Sequence, residues 1–95
     1  MVSLSNSQMR DLKAQAQRLK ATLKLGKQGL SSNFFAALDH ALQHRELVKV
    51  KFDEFKEQKK ELALQLAHKS GSHLVMRVGN VVVLYLPKPP EEKLA

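Results

Sequence analysis

Cysteine is missing from the sequence, which excludes disulfides, thiolate metal sites and a thiol nucleophile. Its absence fits a reducing compartment, and we expect a cytoplasmic protein. Long apolar runs are missing too, because the longest, residues 81–86, is far shorter than the ~20 residues that cross a membrane. Residues 1–6 lack the apolar core of a signal peptide. We therefore expect no membrane partner.

Motifs that carry catalysis are also missing. The sequence has neither the spacing and terminal Gly-Lys-Ser/Thr of a P-loop nor a Gly-x-Ser-x-Gly nucleophile elbow. The acidic residues between positions 53 and 61 alternate with lysines, so a solvated helix with charge pairs explains them better than a catalytic cluster. We expect a non-enzymatic protein with no cofactor and no small-molecule substrate.

Two histidines offer an alternative. His40 and His44 are four residues apart, so both could lie on one helix face and hold a metal ion. The third ligand would come from Asp39, His68 or His73, and the spacing selects none of them. Exposed polar side chains are the simpler interpretation, and we expect no metal site, with a metal-dependent enzyme as a rival hypothesis.

Positive charge is concentrated near the start of the chain. The net charge is +7, yet residues 1–30 contain six lysines and arginines against Asp11 alone. The other 65 residues hold ten basic and eight acidic side chains. A surface shaped only by solubility would mix the signs more evenly. This distribution indicates a polyanionic partner.

Hydrophobic patterning predicts one domain at residues 1–87. Prolines at positions 87, 89 and 90 predict an extended or disordered tail at residues 88–95. Periodicity and capping residues predict three helices: from Ser5 or Ser7 to about Lys20, from Ser31 or Ser32 to about His44, and from a cap at Asp53 to Ser70. Phe55 falls on the apolar stripe of the third helix.

Four runs of β-forming residues lie between and after these helices. They cover residues 22–25, 47–52, 74–78 and 81–86, and Gly79-Asn80 joins the last two as a tight hairpin. The order α-β-α-β-α-β-β predicts an α/β (α+β) fold, in which a four-stranded mixed sheet packs with three helices.

The turn Gly26-Lys27-Gln28-Gly29 joins the first strand to the second helix. Without a Cβ at Gly26 and Gly29, a phosphate could approach the backbone amides at the helix start, and Lys27 adds a positive charge there. This chemistry is that of a clamp for a nucleic-acid backbone.

Further basic residues extend the predicted nucleic-acid contact. Arg10, Lys13 and Lys20 border the apolar stripe of the first helix, and Lys24 directly precedes the turn. Lys49 and Lys51 share one face of the second strand and are weaker candidates, because a helix could cover that face. Tyr85 could either stack on a base or pack within its strand.

Leu25-Gly26-Lys27-Gln28-Gly29-Leu30, together with residues 41–51 (Ala-Leu-Gln-His-Arg-Glu-Leu-Val-Lys-Val-Lys), closely resembles the CRM domain family. The likeness is greatest to its short, single-domain bacterial YhbY-type members and covers roughly residues 8–88. It implies a fold similar to the C-terminal domain of bacterial initiation factor three, and RNA binding through the glycine turn. It also implies association with precursors of the large ribosomal subunit.

These observations predict an RNA-binding protein that acts in ribosome assembly on ribosomal RNA of the pre-ribosomal large subunit. The alternative is a basic module that docks an acidic protein.

Overall fold

Four strands form one mixed sheet in the computed structural model, which describes residues 4–87. In chain order they are β1 (Leu23–Leu25), β2 (Leu47–Phe52), β3 (His73–Val78) and β4 (Val81–Tyr85), and the sheet order is β1-β2-β4-β3. β1 and β2 pair in parallel, whereas β4 is antiparallel to both of its neighbours. The predicted mixed sheet and element order are confirmed. The predicted tail at residues 88–95 lies outside the described residues.

Three helices, α1 (Asn6–Arg18), α2 (Ser32–His44) and α3 (Lys59–Ser70), cover this sheet. Ser5 begins α1 with a capping box, because its hydroxyl accepts a hydrogen bond from the Gln8 amide while the Gln8 side chain accepts one from the Ser5 amide. Ser31 caps α2 through the Phe34 amide, which donates to its hydroxyl at 3.1 Å. Both predicted starts are confirmed, but α1 ends before the predicted Lys20, since Leu19 is already extended.

The third helix begins later than predicted, at Lys59 with Gln58 as its N-cap, so Asp53 does not cap it. The Asp53 and Glu54 amides donate to the Leu25 carbonyl, at 3.0 and 3.2 Å, and this segment is not helical. Phe55 then adopts a left-handed conformation with φ of 58°, and a 3-10 helix at Lys56–Gln58 leads into α3. Phe55 is therefore off the predicted apolar stripe, and it is 40% exposed.

Two hydrophobic clusters lie on opposite faces of the sheet. Alternation along β2 sends Val48, Val50 and Phe52 into the larger cluster, which is packed against α2 and α3. Leu47 points the other way, into a smaller cluster beneath α1 that also contains Leu12, Ala16, Val75 and Val83. One face of the sheet is therefore covered by α1, and the other by α2 and α3.

Lys49 holds the end of α1 on the sheet. Its Nζ atom donates hydrogen bonds to the carbonyls of Ala16 and Leu19, at 3.1 and 3.0 Å, and the side chain is half-buried. A cation at a helix C-terminus also interacts favourably with the helix dipole. Lys51 lies on the same face of β2 but is exposed.

We expect Lys49→Met to lower the free energy of unfolding by about 1–2 kcal/mol, because methionine keeps the aliphatic packing but cannot donate to these carbonyls. Lys51→Met is the matched control and should leave stability nearly unchanged. Urea denaturation followed by circular dichroism measures both. Equal stability of the two variants would show that the hydrogen bonds from Lys49 do not secure α1.

Candidate nucleic-acid interface

The glycine turn is a tight loop at the start of α2. The Gly29 amide donates to the Gly26 carbonyl at 3.0 Å, and the Ser31 amide donates to the Gly29 carbonyl at 2.9 Å. Lys27 and Gln28 are exposed at the tip. The loop therefore stands at the positive end of the α2 dipole, where an anion is stabilised.

The two glycines have different roles. Gly29 has a φ of 65°, and a methyl group on its Cα would stand 3.3 Å from Cε2 of the Phe55 ring. Gly26 lacks a positive φ, and a methyl group there would meet nothing within 4 Å. Gly29 is thus required by the local backbone, while Gly26 leaves open space beside the chain.

The glycine loop, the segment after β2 and the β3–β4 turn lie at the same end of the sheet. β1 ends at Leu25 directly before Gly26, and β2 ends beside it at Phe52. The Phe52 amide donates to the carbonyl of Asn80 in the β3–β4 turn, at 2.7 Å. The loop consequently lies at the carboxyl ends of the two parallel strands.

A pair of lysines lies on the α1 face of the sheet next to this end. Lys24 of β1 is the register partner of Lys51 in β2, and both side chains are exposed. Neighbouring strands are separated by ~4.8 Å, so the two lysines stand side by side. Val81 and Val78 continue this row across β4 and β3. Across the sheet, this row of register partners therefore changes from two lysines on β1 and β2 to two valines on β4 and β3.

A groove of about 340 Å³ separates α1 from the β3–β4 hairpin, and Gln17, Val78 and Val81 are among its lining residues. Lys13 and Arg10 precede Gln17 by four and seven residues, so they lie on the same side of α1. Both are exposed. Of the basic stripe predicted on the first helix, Arg10 and Lys13 therefore lie on the side of α1 that faces this groove.

The structure does not bring every predicted contact residue to this place. Lys20 is exposed in the connection that leads into the start of β1, whereas the glycine loop follows the end of that strand. Lys49 uses its ammonium group to hold α1. The residues that come together are Gly26, Lys27, Gln28, Gly29, Lys24 and Lys51, with Arg10 and Lys13 on the flank. Their role in RNA binding stays a prediction.

Sequence reasoning missed Phe55 as a neighbour of the glycine loop. The patterning placed it inside a helix, whereas the hydrogen bonds to Leu25 draw its segment back toward β1. No local signal in the sequence reports this long-range contact. Tyr85, the aromatic residue that sequence reasoning did consider, is half-buried against the smaller cluster with its ring centroid 6.3 Å from that of His73.

The two histidines of the rival metal hypothesis do meet. The ring centroids of His40 and His44 are 4.4 Å apart on the exposed side of α2. Within residues 4–87, however, no group of three or more potential ligands is assembled, so Asp39, His68 and His73 do not complete a site there. Between the same limits, no helix has the length and apolarity that would let it cross a bilayer.

The mixed sheet, the helices on both faces and the glycine loop at the start of α2 define an α/β domain. The chain belongs to the CRS1 / YhbY (CRM) domain family, whose sequence model matches residues 4–85. The predicted resemblance is therefore confirmed.

Proteins from several bacteria are similar to this chain. One from Bacillus subtilis, named "Probable RNA-binding protein YqeI", is 36% identical over 83 residues, which are 86% of each chain. One from Haemophilus influenzae, named "RNA-binding protein", is 33% identical over 92% of this chain and 89% of its own length. The solution structure of the hypothetical protein SAV1595 from Staphylococcus aureus has a TM-score of 0.78 and 33% identity, covering 95% of this chain and 96% of that one.

The geometry of the loop predicts unequal effects of the same substitution at its two glycines. Gly29→Ala should lower the free energy of unfolding by about 1–2 kcal/mol, since alanine is disfavoured at positive φ and its methyl group would crowd Phe55. Gly26→Ala, the matched control, should be nearly neutral. Thermal denaturation of both variants checks this, and equal melting temperatures would contradict the geometry assigned to Gly29.

Proposed function

We propose that this chain is a non-enzymatic protein that binds RNA through its sugar–phosphate backbone. The observation that carries the proposal is the placement of the exposed Lys24–Lys51 pair beside the glycine loop at the α2 N-terminus. Relatives in the same family are named as RNA-binding proteins. This supports RNA as the polyanion.

The loop and the lysine pair suit successive phosphates. One phosphate would approach Gly26, where no side chain obstructs the backbone, with Lys27 beside it. The next would lie on Lys24 and Lys51, at the adjoining edge of the sheet. Basic side chains of α1 would continue this track, namely Arg10 and Lys13. Such contacts fix the position of an RNA without reading its sequence.

An acidic protein could also meet these cations, but the glycine loop favours a compact anion. The carboxylates of a folded protein surface are carried on side chains and do not need a backbone approach at Gly26. A phosphodiester chain has repeating charges at short spacing, which the loop and the lysine pair can bind together. We therefore favour RNA over an acidic protein as the partner of this surface.

Each of Lys24→Gln, Lys27→Gln and Lys51→Gln should weaken binding of an RNA hairpin by about 1 kcal/mol at low salt, because each removes one phosphate contact. The slope of log affinity against log salt should fall by about one for each substitution. Fluorescence anisotropy across a salt series measures both quantities.

Arg45→Gln is the control for this series. Arg45 is exposed just before β2, whereas Lys51 is near the end of that strand. β2 separates its two ends by roughly 17 Å at ~3.3 Å per residue. If Arg45→Gln and the three lysine variants lose the same affinity, attraction by net charge alone explains the binding. Unchanged affinity in the lysine variants would remove this surface from the interface.

We further propose that the bound RNA is ribosomal RNA of large-subunit precursors in the cytoplasm. Structured ribosomal RNA offers dense phosphate and many exposed loops, which suits a backbone-binding surface with little sequence readout. The resemblance to YhbY-type bacterial proteins supports this assignment. Later folding, or ribosomal proteins, would cover the binding site in the finished subunit.

In a sucrose gradient of cell lysate, the protein should therefore sediment with large-subunit precursors and be scarce on polysomes. Its depletion should raise the amount of precursor particles or of unprocessed ribosomal RNA. An even distribution over polysomes would favour a translation factor instead. Sedimentation only with free protein would contradict the ribosomal assignment.

A further inference from the structure

Phe55 is an exposed aromatic residue in an unfavourable backbone conformation beside the glycine loop. Its φ of 58° lies in the left-handed region, and it is the only non-glycine residue between positions 4 and 87 with a positive φ. A bulky side chain rarely adopts this conformation, and such strain is often found at binding sites. The side chain is 40% exposed although it is fully apolar.

The surrounding hydrogen bonds fix the position of this ring. The amides of Asp53 and Glu54 donate to the Leu25 carbonyl, which ties the segment before Phe55 to the end of β1. The Gln58 amide donates to the Phe55 carbonyl at 3.1 Å, which closes the turn after it. Held from both sides, the ring turns its Cε2–Cζ edge toward Gly29.

The charges near Phe55 disfavour a phosphate there. Asp53, Glu54 and Glu57 are exposed, and only Lys56 in this turn is basic. The same residues border a surface depression of about 370 Å³ in which Phe55 takes part. A neutral nucleobase can occupy such a place without the repulsion that a phosphate would meet.

Two sides of the glycine loop therefore differ in chemistry. Lys24 and Lys51 stand on the sheet face that carries α1, whereas Gly29 and Phe55 lead into the helices of the opposite face. A nucleotide whose phosphate lies on the loop could direct its base toward only one of these sides. The aromatic, anionic side accommodates the base.

We propose that Phe55 is a base-stacking residue, so that the ligand of this surface is an unpaired nucleotide whose phosphate is held by the glycine loop. The proposal rests on the proposed RNA binding and narrows it to single-stranded segments, loops or bulges. A base inside a duplex already stacks on its neighbours and could not reach the ring. Stacking on an aromatic ring tolerates every base, so no sequence preference is required.

The chain contains no tryptophan, which allows a direct optical test. Phe55→Trp places a single indole at the proposed stacking position, and Leu64→Trp places one on α3, where Leu64 is 57% exposed. Each variant is titrated with a short single-stranded RNA and with a strand of the same length and charge that lacks its bases. We expect the complete RNA alone to quench the indole fluorescence of the Phe55→Trp variant, with little change in the Leu64→Trp variant.

Affinity gives the second measurement. The wild-type protein should bind the complete strand about tenfold more tightly than the abasic strand, and Phe55→Leu should reduce that ratio to nearly one, since leucine is apolar but cannot stack. Lys27→Gln should weaken both strands and leave the ratio unchanged. Denaturation of Phe55→Leu shows whether the variant is folded, and the Phe55→Trp titration stands independently of it.

Equal binding of complete and abasic strands by the wild-type protein would overturn the stacking proposal while leaving backbone binding intact. The same conclusion would follow if Phe55→Leu only lowered stability and kept the wild-type ratio, because the ring would then serve to cover Gly29. If the wild-type protein bound neither strand nor an RNA hairpin, the proposed function and the stacking proposal would both fail.

Discussion

The backbone carbonyl of Leu25 is the contact on which the candidate interface depends. It accepts hydrogen bonds from the amides of Asp53 and Glu54, at 3.0 and 3.2 Å, and so joins the end of β1 to the turn after β2. The Leu25 side chain is fully buried in the larger cluster, which fixes the carbonyl in turn. Gly26 follows directly, and Phe55 comes next after Glu54. One buried residue therefore determines how the glycine loop and the Phe55 ring face each other.

Two lysines of β2 have different roles in the fold, because one is bound to helix carbonyls and the other is exposed to solvent. Lys49 and Lys51 alternate with the same apolar residues on one strand, and nothing local distinguishes them. α1 passes over one and not the other, so Lys49 caps a helix while Lys51 stands exposed beside Lys24. A cation engaged by helix carbonyls cannot also serve a phosphate without losing those hydrogen bonds. The number of lysines available to an anionic ligand is thus smaller than the net charge of the sequence implies.

Local patterns predicted the elements but not the contact between the two loops. The capping serines, the alternation of β2 and the Gly79-Asn80 turn are short-range signals, and the starts of α1 and α2 and the hairpin follow from them. The third helix was predicted too early, because aspartate is a residue type that often caps helices. The segment at Asp53 and Glu54 is instead bound to Leu25, far earlier in the chain, and Phe55 after it is left-handed. The glycine loop was identified from its two glycines and Lys27, and the family resemblance supported it. Neither source could reveal Phe55, since its position depends on a tertiary hydrogen bond and on strain at one residue.

Charge is distributed unevenly around the glycine loop, which would place the backbone of a bound strand on one side and its bases on the other. Basic side chains continue from the loop along β1, β2 and the flank of α1, whereas carboxylates occupy the turn after β2. A phosphate backbone is attracted to the first side and repelled from the second, over distances comparable with the Debye length of ~8–10 Å. In the proposed complex the carboxylates would therefore not weaken binding, because they would confine the backbone to the lysine side and leave the aromatic side to the base. The acidic turn, which patterning alone assigned to a solvated helix, would then form one wall of the proposed interface.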